Sequence, residues 1–90
     1  MKILILGCGS IGRRHAQNAK KLGVKNIVLV DPNMARAQSL GSKLGTKLVY
    51  GDHKEAAREN PDLDAAVICT PTSLHMSPAI FFAKNKISLF

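Results

Sequence analysis

The 90-residue chain is long enough for one small domain, and its composition is that of a globular protein. Hydrophobic residues make up 46% of it and charged residues 21%, a balance that excludes an intrinsically disordered chain. Aromatic residues are 4%, so the apolar mass is aliphatic, which is typical of strands that helices cover on both faces.

The net charge of +7 raises the question of an anionic partner. Nucleic acid is disfavoured because the basic residues are spread from Lys2 to Lys86 without a dense run, and the chain has no Trp for stacking on bases. A modest positive field would also attract the pyrophosphate of a dinucleotide. We therefore expect a dinucleotide partner and no nucleic acid.

Neither a membrane segment nor a metal site is predicted. The first residues lack the long apolar region and cleavage site of a signal peptide. The uncharged stretch 65–83 contains Pro71, His75 and Pro78, which disfavour a membrane helix. Cys8 and Cys69 have the spacing of neither a metal site nor a disulfide framework. We expect a cytoplasmic protein with two free thiols and no membrane partner.

Short apolar runs alternate with helical patterns along the chain. Strands are predicted over residues 2–6, 26–30, 47–50, 65–69 and 87–90. Helices are predicted over 10–22, 33–44, a short segment that Asp52 opens and Pro61 ends, and 73–84, with Pro78 tolerable only near the first turn. Connections this short imply right-handed parallel crossovers. The sequence thus predicts an α/β fold with a doubly wound parallel sheet (a Rossmann fold), strand order 3-2-1-4-5, in three α/β/α layers.

The helical patterns also predict which residues of each helix lie on its inward face. On the first helix, one face carries Ile11, His15, Ala19 and Leu22, and Gly23 stands where the helix should end. The second helix is closed by Gly45. Its inward face is predicted to consist of Ala37, Leu40, Gly41 and Leu44.

The most specific local pattern is G-C-G-S-I-G, which follows a strand and opens a helix. Gly7 permits the tight turn, Gly9 lets the backbone approach a pyrophosphate, and Gly12 lets the helix pack close to the strand. The amides of Ser10 and Ile11 would then face phosphate oxygens, aided by the helix dipole. The pattern predicts a dinucleotide site at this turn.

Asp31 ends the second strand, nineteen residues after Gly12. A carboxylate there is placed to accept hydrogen bonds from both hydroxyls of an adenosine ribose and to repel a 2′-phosphate, which favours NAD over NADP. The alternative is that Asp31 only opens a turn with Pro32. Arg36, one turn later, would admit NADP, so both cofactors stay open with NAD preferred.

Three charged or titratable residues, Arg13, Arg14 and His15, follow the last glycine of the turn. We expect the arginines to be solvated in the first turn of the helix and the histidine to be packed.

Taken together, the run G-C-G-S-I-G-R-R-H, Asp31 and the later run C-T-P-T-S-L-H resemble the glucose-fructose oxidoreductase, inositol dehydrogenase and MocA family. The resemblance implies an N-terminal Rossmann domain followed by a substrate-binding α/β domain that often mediates oligomerisation. It implies hydride transfer between NAD or NADP and a hydroxyl-bearing carbon of a sugar, cyclitol or related molecule. A homo-oligomer is the expected assembly.

The resemblance also assigns a role to the segment after the fourth strand. In the family, a Thr-Pro-(Asn or Thr)-x-x-His segment lines the cofactor near its nicotinamide, which maps onto Thr70, Pro71, Thr72 and His75. Loops at the carboxyl ends of strands one and four flank the crevice where ligands bind in such sheets. The alternative for Thr72 and His75 is a helix N-cap and a surface histidine.

The resemblance covers the whole chain but only the front of a longer protein. Residues 1–90 are therefore expected to be a truncated dinucleotide-binding domain, without its C-terminal substrate domain. The family's catalytic Lys, in a Glu-Lys-Pro segment after the fifth strand, and a later Asp and His pair would lie beyond residue 90. The catalytic residues are unknown on this basis, and the chain alone is expected to be inactive.

Two other classes of protein share part of the pattern. A regulatory nucleotide-sensing domain without chemistry also carries the glycine turn and the acid of the second strand. It is not expected to carry Thr-Pro-Thr-x-x-His, which is the discriminating feature. A CoA-ligase-type nucleotide domain has no need of Asp31. An NAD-dependent dehydrogenase domain satisfies all three features.

Overall fold

Runs of aliphatic residues form one parallel sheet in the computed structural model, which describes residues 1–70, 76–85 and 87–89. The five strands stand in the order β3-β2-β1-β4-β5, and all four pairings are parallel. The elements follow one another as β1 (Lys2–Leu6), α1 (Ser10–Lys21), β2 (Asn26–Val30), α2 (Met34–Leu44), β3 (Val49–Tyr50), α3 (His53–Glu59), β4 (Ala65–Ile68), α4 (Met76–Lys84) and β5 (Ser88–Leu89). The predicted fold class and strand order are confirmed.

The central strands β1 and β2 are buried on both faces of the sheet, as their apolar runs predict. Alternate residues of β1 and β2 point to opposite sides. Ile3, Ile5 and Leu29 join the core under α1 and α2, whereas Leu4 and Val28 join the core under α3 and α4, which includes Ala56 and Phe82. The two cores give the predicted three layers.

The face predicted for α1 is correct for Ala19, which is half-buried against the core, and wrong for the other three residues. Ile11 is 61% exposed, Leu22 is 85% exposed, and His15 is exposed rather than packed. The buried residues of α1 are Gly12 and Ala16, both small. Small residues face the sheet because the helix starts directly from the turn after β1 and lies close to that strand. On α2, by contrast, all four predicted inward residues are buried.

Helix ends follow the predicted chemistry. Asn33 is the N-cap of α2 and not its first residue, and its side chain accepts a hydrogen bond from the amide of Arg36. Asp52 caps α3 in the same way, through the amide of Glu55 at 3.2 Å. Gly23 and Gly45 have positive φ angles of 94° and 74° after α1 and α2. These glycines end both helices in left-handed conformations, as predicted.

The later elements are shorter than predicted. β3 begins at Val49 rather than at residue 47, β4 ends at Ile68 rather than at Cys69, and β5 comprises Ser88 and Leu89. Pro78 lies in the first turn of α4, as expected, whereas Ser73 and Phe90 lie outside the described residues. None of the described helices has the length and apolar character that crossing a bilayer requires. Among the described side chains, no group of three or more His, Cys, Asp or Glu is placed to hold a metal ion.

Candidate functional site

The glycine turn joins β1 to α1 at the carboxyl edge of the sheet. Gly7 has a φ of 97°, which side chains other than hydrogen rarely allow, and its amide donates to the carbonyl of Val30 at 2.7 Å. A Cβ on Gly12 would lie 1.7 Å from the carbonyl oxygen of Gly7, so this position admits only glycine. Gly7 and Gly12 therefore set the shape of the turn and the closeness of α1.

Gly9 is different, because no described residue requires a missing side chain there. Its φ is −73°, which any residue adopts. Among the described residues, a Cβ on Gly9 would meet the Nη1 of Arg36 alone, at 3.8 Å. The open space above Gly9 is room for a ligand to approach the backbone closely.

The N-terminus of α1 lacks the caps that the next two helices have. Its N-cap is Gly9, which makes no side-chain cap bond, and its first turn holds no acidic residue. Asn33 and Asp52 cap α2 and α3 with side-chain oxygens. The amides at the start of a helix have no carbonyl acceptor within the helix. The start of α1, at Ser10 and Ile11, is therefore suited to an anion.

Asp31 lies beside this turn and ties it to the start of α2. The residue is 5% exposed. Its Oδ2 accepts from the amide of Cys8 at 2.8 Å, and its Oδ1 accepts from the amide of Asn33 at 2.9 Å. The second bond is the turn that was the alternative interpretation of Asp31. Each carboxylate oxygen accepts more than one hydrogen bond, so the turn does not exclude a ribose.

Two arginines make the surroundings of the turn electropositive. Arg36 places its Nη1 3.7 Å from the Oδ2 of Asp31. Arg36 and Arg13 line an open pocket of about 500 Å³ together with Cys8, Gly9 and Ser10. Arg13 is half-buried there, so the expectation that both first-turn arginines are simply solvated is wrong for Arg13 and correct for Arg14. The sequence alone places Arg13 in the first turn of α1, but it does not show that Arg36 lines the same pocket.

The two thiols are free and lie near the turn. Burial, followed by the charge of Asp31, raises the pKa of Cys8 to about 11. Burial also raises the pKa of Cys69. Both groups are therefore thiols and not thiolates at neutral pH, which makes them poor nucleophiles.

The exit of β4 lies directly beside the glycine turn. A Cβ on Gly7 would be 3.0 Å from the carbonyl carbon of Cys69. Thr70 follows it and is half-buried. Pro71, Thr72 and His75 lie outside the described residues, so their predicted role stays a prediction.

A doubly wound sheet, an uncapped helix after a glycine turn and an acid at the end of the second strand define a class of domain, the Rossmann-type dinucleotide-binding domain. The chain belongs to a particular family of that class. Residues 1–90 match the family described as "Oxidoreductase family, NAD-binding Rossmann fold", the GFO_IDH_MocA family. The resemblance drawn from the sequence is confirmed.

Two relatives are inositol dehydrogenases by name. The chain is 33% identical over 91 residues to myo-inositol 2-dehydrogenase of Thermotoga maritima, covering 100% of this chain and 27% of the relative. It is 34% identical over 92 residues to scyllo-inositol 2-dehydrogenase (NAD(+)) of Bacillus subtilis, with the same coverage of both chains. The chain thus spans about a quarter of the length of these relatives.

A solved structure has the same fold. The scyllo-inositol dehydrogenase of Lactobacillus casei, with bound cofactor NAD(H) and scyllo-inositol, superposes with a TM-score of 0.86 at 25% identity. The match covers 100% of this chain and 27% of that one. An NAD-binding Rossmann domain is therefore established by family and fold, and its individual contacts are proposed below.

Proposed function

We propose that this chain is the NAD-binding domain of an oxidoreductase that transfers hydride between the nicotinamide and a hydroxyl or carbonyl carbon. The substrate class is a sugar, a cyclitol or a related small molecule. The observation that carries the proposal is the open start of α1 above Gly9, beside the carboxylate of Asp31. When bound, NAD supplies the carbon that accepts or donates the hydride.

The pyrophosphate is assigned to the start of α1. The amides of Ser10 and Ile11 are the donors, and the free space above Gly9 gives the phosphates access to the backbone. Arg13 and Arg36 line the same pocket and add positive charge. Solvation of the first turn alone does not explain why α1 has no side-chain cap while α2 and α3 each have one.

The adenosine ribose is assigned to Asp31. Its carboxylate is held by the amides of Cys8 and Asn33, so it is already oriented before a ligand arrives. A buried negative charge there disfavours a 2′-phosphate, and Arg36 offsets that charge in part. NAD is therefore the preferred cofactor, and NADP is the weaker one.

The nicotinamide end is assigned to the segment after β4. Thr70, Pro71, Thr72 and His75 carry this role through their match to the family's motif, and the proximity of Cys69 to Gly7 places the start of that segment beside the turn. No catalytic residue is assigned within the chain. Hydride transfer by the whole protein needs groups that bind and orient the substrate, which these residues do not supply.

Assembly and location complete the proposal. The resemblance to the family, whose substrate domain often mediates oligomerisation, supports a homo-oligomer as the assembly of the whole protein. Free Cys8 and Cys69 fit the reducing cytoplasm.

Calorimetric titration of the protein with NAD and with NADP tests the cofactor assignment. NAD should bind more tightly than NADP, and inositols should be oxidised by the whole protein with NAD. The relatives named above are dehydrogenases by name, which favours this function over a nucleotide-sensing domain without chemistry. Equal or tighter binding of NADP would contradict the role given to Asp31.

A further inference from the structure

The positive charge of the chain gathers mainly away from the dinucleotide site. Two open pockets of about 470 and 490 Å³ adjoin each other and share Lys20 and Leu44. Their lining lies at the C-terminal ends of α1 and α2 and before β2 and β3. Five of the thirteen basic residues line these pockets: Lys20, Lys21, Lys25, Lys43 and Lys47.

This lysine cluster stands at the amino edge of the sheet, opposite the glycine turn. α1 runs from that turn to Lys21, and its twelve residues span roughly 18 Å. Both pockets are therefore separate from the proposed pyrophosphate site. The prediction that the net charge mainly serves the dinucleotide accounts for Arg13 and Arg36 and leaves these lysines unexplained.

Acidic residues do not neutralise the cluster. The chain has six Asp and Glu residues, and none lines either pocket in the described structure. The ion pairs found among the described residues use Lys2, Arg36 and His53. All five lysines of the cluster are exposed.

Helix dipoles explain three of these lysines and not the other two. Lys20 and Lys21 lie in the last turn of α1 and Lys43 in the last turn of α2, where a cation is favourable, and the Nζ of Lys20 donates to the carbonyl of Leu44 at 2.6 Å. Lys25 directly precedes β2 and Lys47 precedes β3, so neither lies in a helix. These two add charge that the fold does not require.

The pocket of about 470 Å³ combines positive charge with an apolar lining. Val24, Ile27, Leu44 and Leu48 line it beneath Lys20, Lys25 and Lys47. Its volume is in the range of small-molecule sites. A long nucleic acid is disfavoured because the described lining holds no aromatic side chain for stacking and no arginine.

We propose that the lysine cluster is a second anion site, which binds a small polyphosphorylated molecule at the edge of the sheet opposite the dinucleotide. Ammonium groups are point charges that bind phosphate without a fixed geometry, and several of them together favour a ligand with several negative charges. The lysine cluster does not depend on NAD binding, so this proposal is independent of the proposed function and is tested separately from it.

Amide NMR titration with inorganic tripolyphosphate tests this site on the wild type and on three variants. The wild type should show saturable shifts of the amides around Lys25 and Lys47, in addition to any shifts at Gly9 to Gly12, since the start of α1 is itself suited to an anion. The variant Lys25→Gln/Lys47→Gln should bind tripolyphosphate about tenfold more weakly. The control Lys54→Gln/Lys84→Gln removes the same charge at two exposed positions outside the pockets and should change affinity less than about twofold.

Three results would overturn the proposal. Equal weakening in both variants would mean that net charge alone attracts the anion. Shifts confined to the glycine turn, with none around Lys25 and Lys47, would mean that tripolyphosphate uses only the dinucleotide site. Tighter binding of a short DNA duplex than of tripolyphosphate, through the same two lysines, would make the ligand a nucleic acid. Affinity retained by Lys25→Arg/Lys47→Arg, with a wild-type thermal midpoint for all variants, would support the site.

Discussion

Two glycines of the same turn should respond in opposite ways to replacement by alanine. A Cβ on Gly12 would lie 1.7 Å from the oxygen of Gly7, and contacts below 3.0 Å are not tolerated, so α1 would have to move by about 1.3 Å from the turn. Of the residues that the structure describes, a Cβ on Gly9 would meet Arg36 alone, at 3.8 Å, and the φ of −73° at Gly9 suits alanine. Gly12 is therefore a requirement of folding, and Gly9 a requirement of binding.

The magnitudes separate the two effects. Gly12→Ala should lower the free energy of unfolding by about 3 kcal/mol or more, because the overlap is with backbone. In a domain of this size that lowers the thermal midpoint by about 12 °C or more. Gly9→Ala should change the free energy of unfolding by less than about 1 kcal/mol. It should weaken NAD binding about tenfold or more, because the methyl group occupies the space through which the pyrophosphate reaches the backbone.

Scanning calorimetry and NAD titration on both variants make the comparison. A Gly9→Ala protein with wild-type affinity for NAD would refute the assignment of the pyrophosphate to the start of α1. A Gly12→Ala protein with a wild-type thermal midpoint would refute the close packing of α1 on the turn.

Asp31, His53 and the two cysteines give three further predictions. In Asp31→Ala the amides of Cys8 and Asn33 lose their acceptor, so chemical denaturation should give a free energy of unfolding lower by about 1–3 kcal/mol, and titration a preference for NAD over NADP lower by about 1–2 kcal/mol. No change in either quantity would contradict the role of Asp31. Burial lowers the pKa of His53 from 6.5, so the imidazole binds a proton more readily in the unfolded chain than in the folded one. The thermal midpoint should therefore fall as the pH drops below 6.5, and an equal fall in His53→Gln would refute this. Iodoacetamide at about pH 8 should label Cys69 before Cys8, because Cys8 is 1% exposed and its pKa is raised to about 11. Mass spectrometry that shows the reverse order of labelling would contradict the burial of Cys8.

The fold was predictable because β1, β2 and β4 are mainly aliphatic runs and the connections between elements are short. The positions of β1 and β2 match the sequence prediction residue for residue. The inward face of α2 was also predictable, since Leu40 and Leu44 fix it. The periodicity of apolar residues was sufficient wherever large side chains made the contacts.

The buried face of α1 was not predictable from hydrophobicity. Gly12 and Ala16 are buried because the helix starts against β1, whereas Ile11 and Leu22 are exposed. Hydrophobicity favoured the large residues, and the distance between backbones favoured the small ones. The glycine pattern contained the correction, since a glycine needed for close packing must itself face the strand.

The parts of the candidate site that follow from the backbone fold were predictable, whereas the contacts between particular side chains and amides were not. The glycine turn and Asp31 lie together as predicted because strands one and two are neighbours. The hydrogen bond from the amide of Cys8 to Asp31 was not predictable from the sequence, since every residue except proline has a backbone N–H. The approach of Arg36 to Asp31 depends on the direction of α2, which a single sequence does not give.

The most direct test of dinucleotide binding at the glycine turn is an amide NMR titration of the protein with NAD. Saturable shifts should appear at the amides of Gly9, Ser10, Ile11 and Gly12 and at Asp31, while those of the lysine cluster stay unchanged. Absence of saturable binding, or shifts confined to residues away from the turn, would contradict the assignment of this site to NAD.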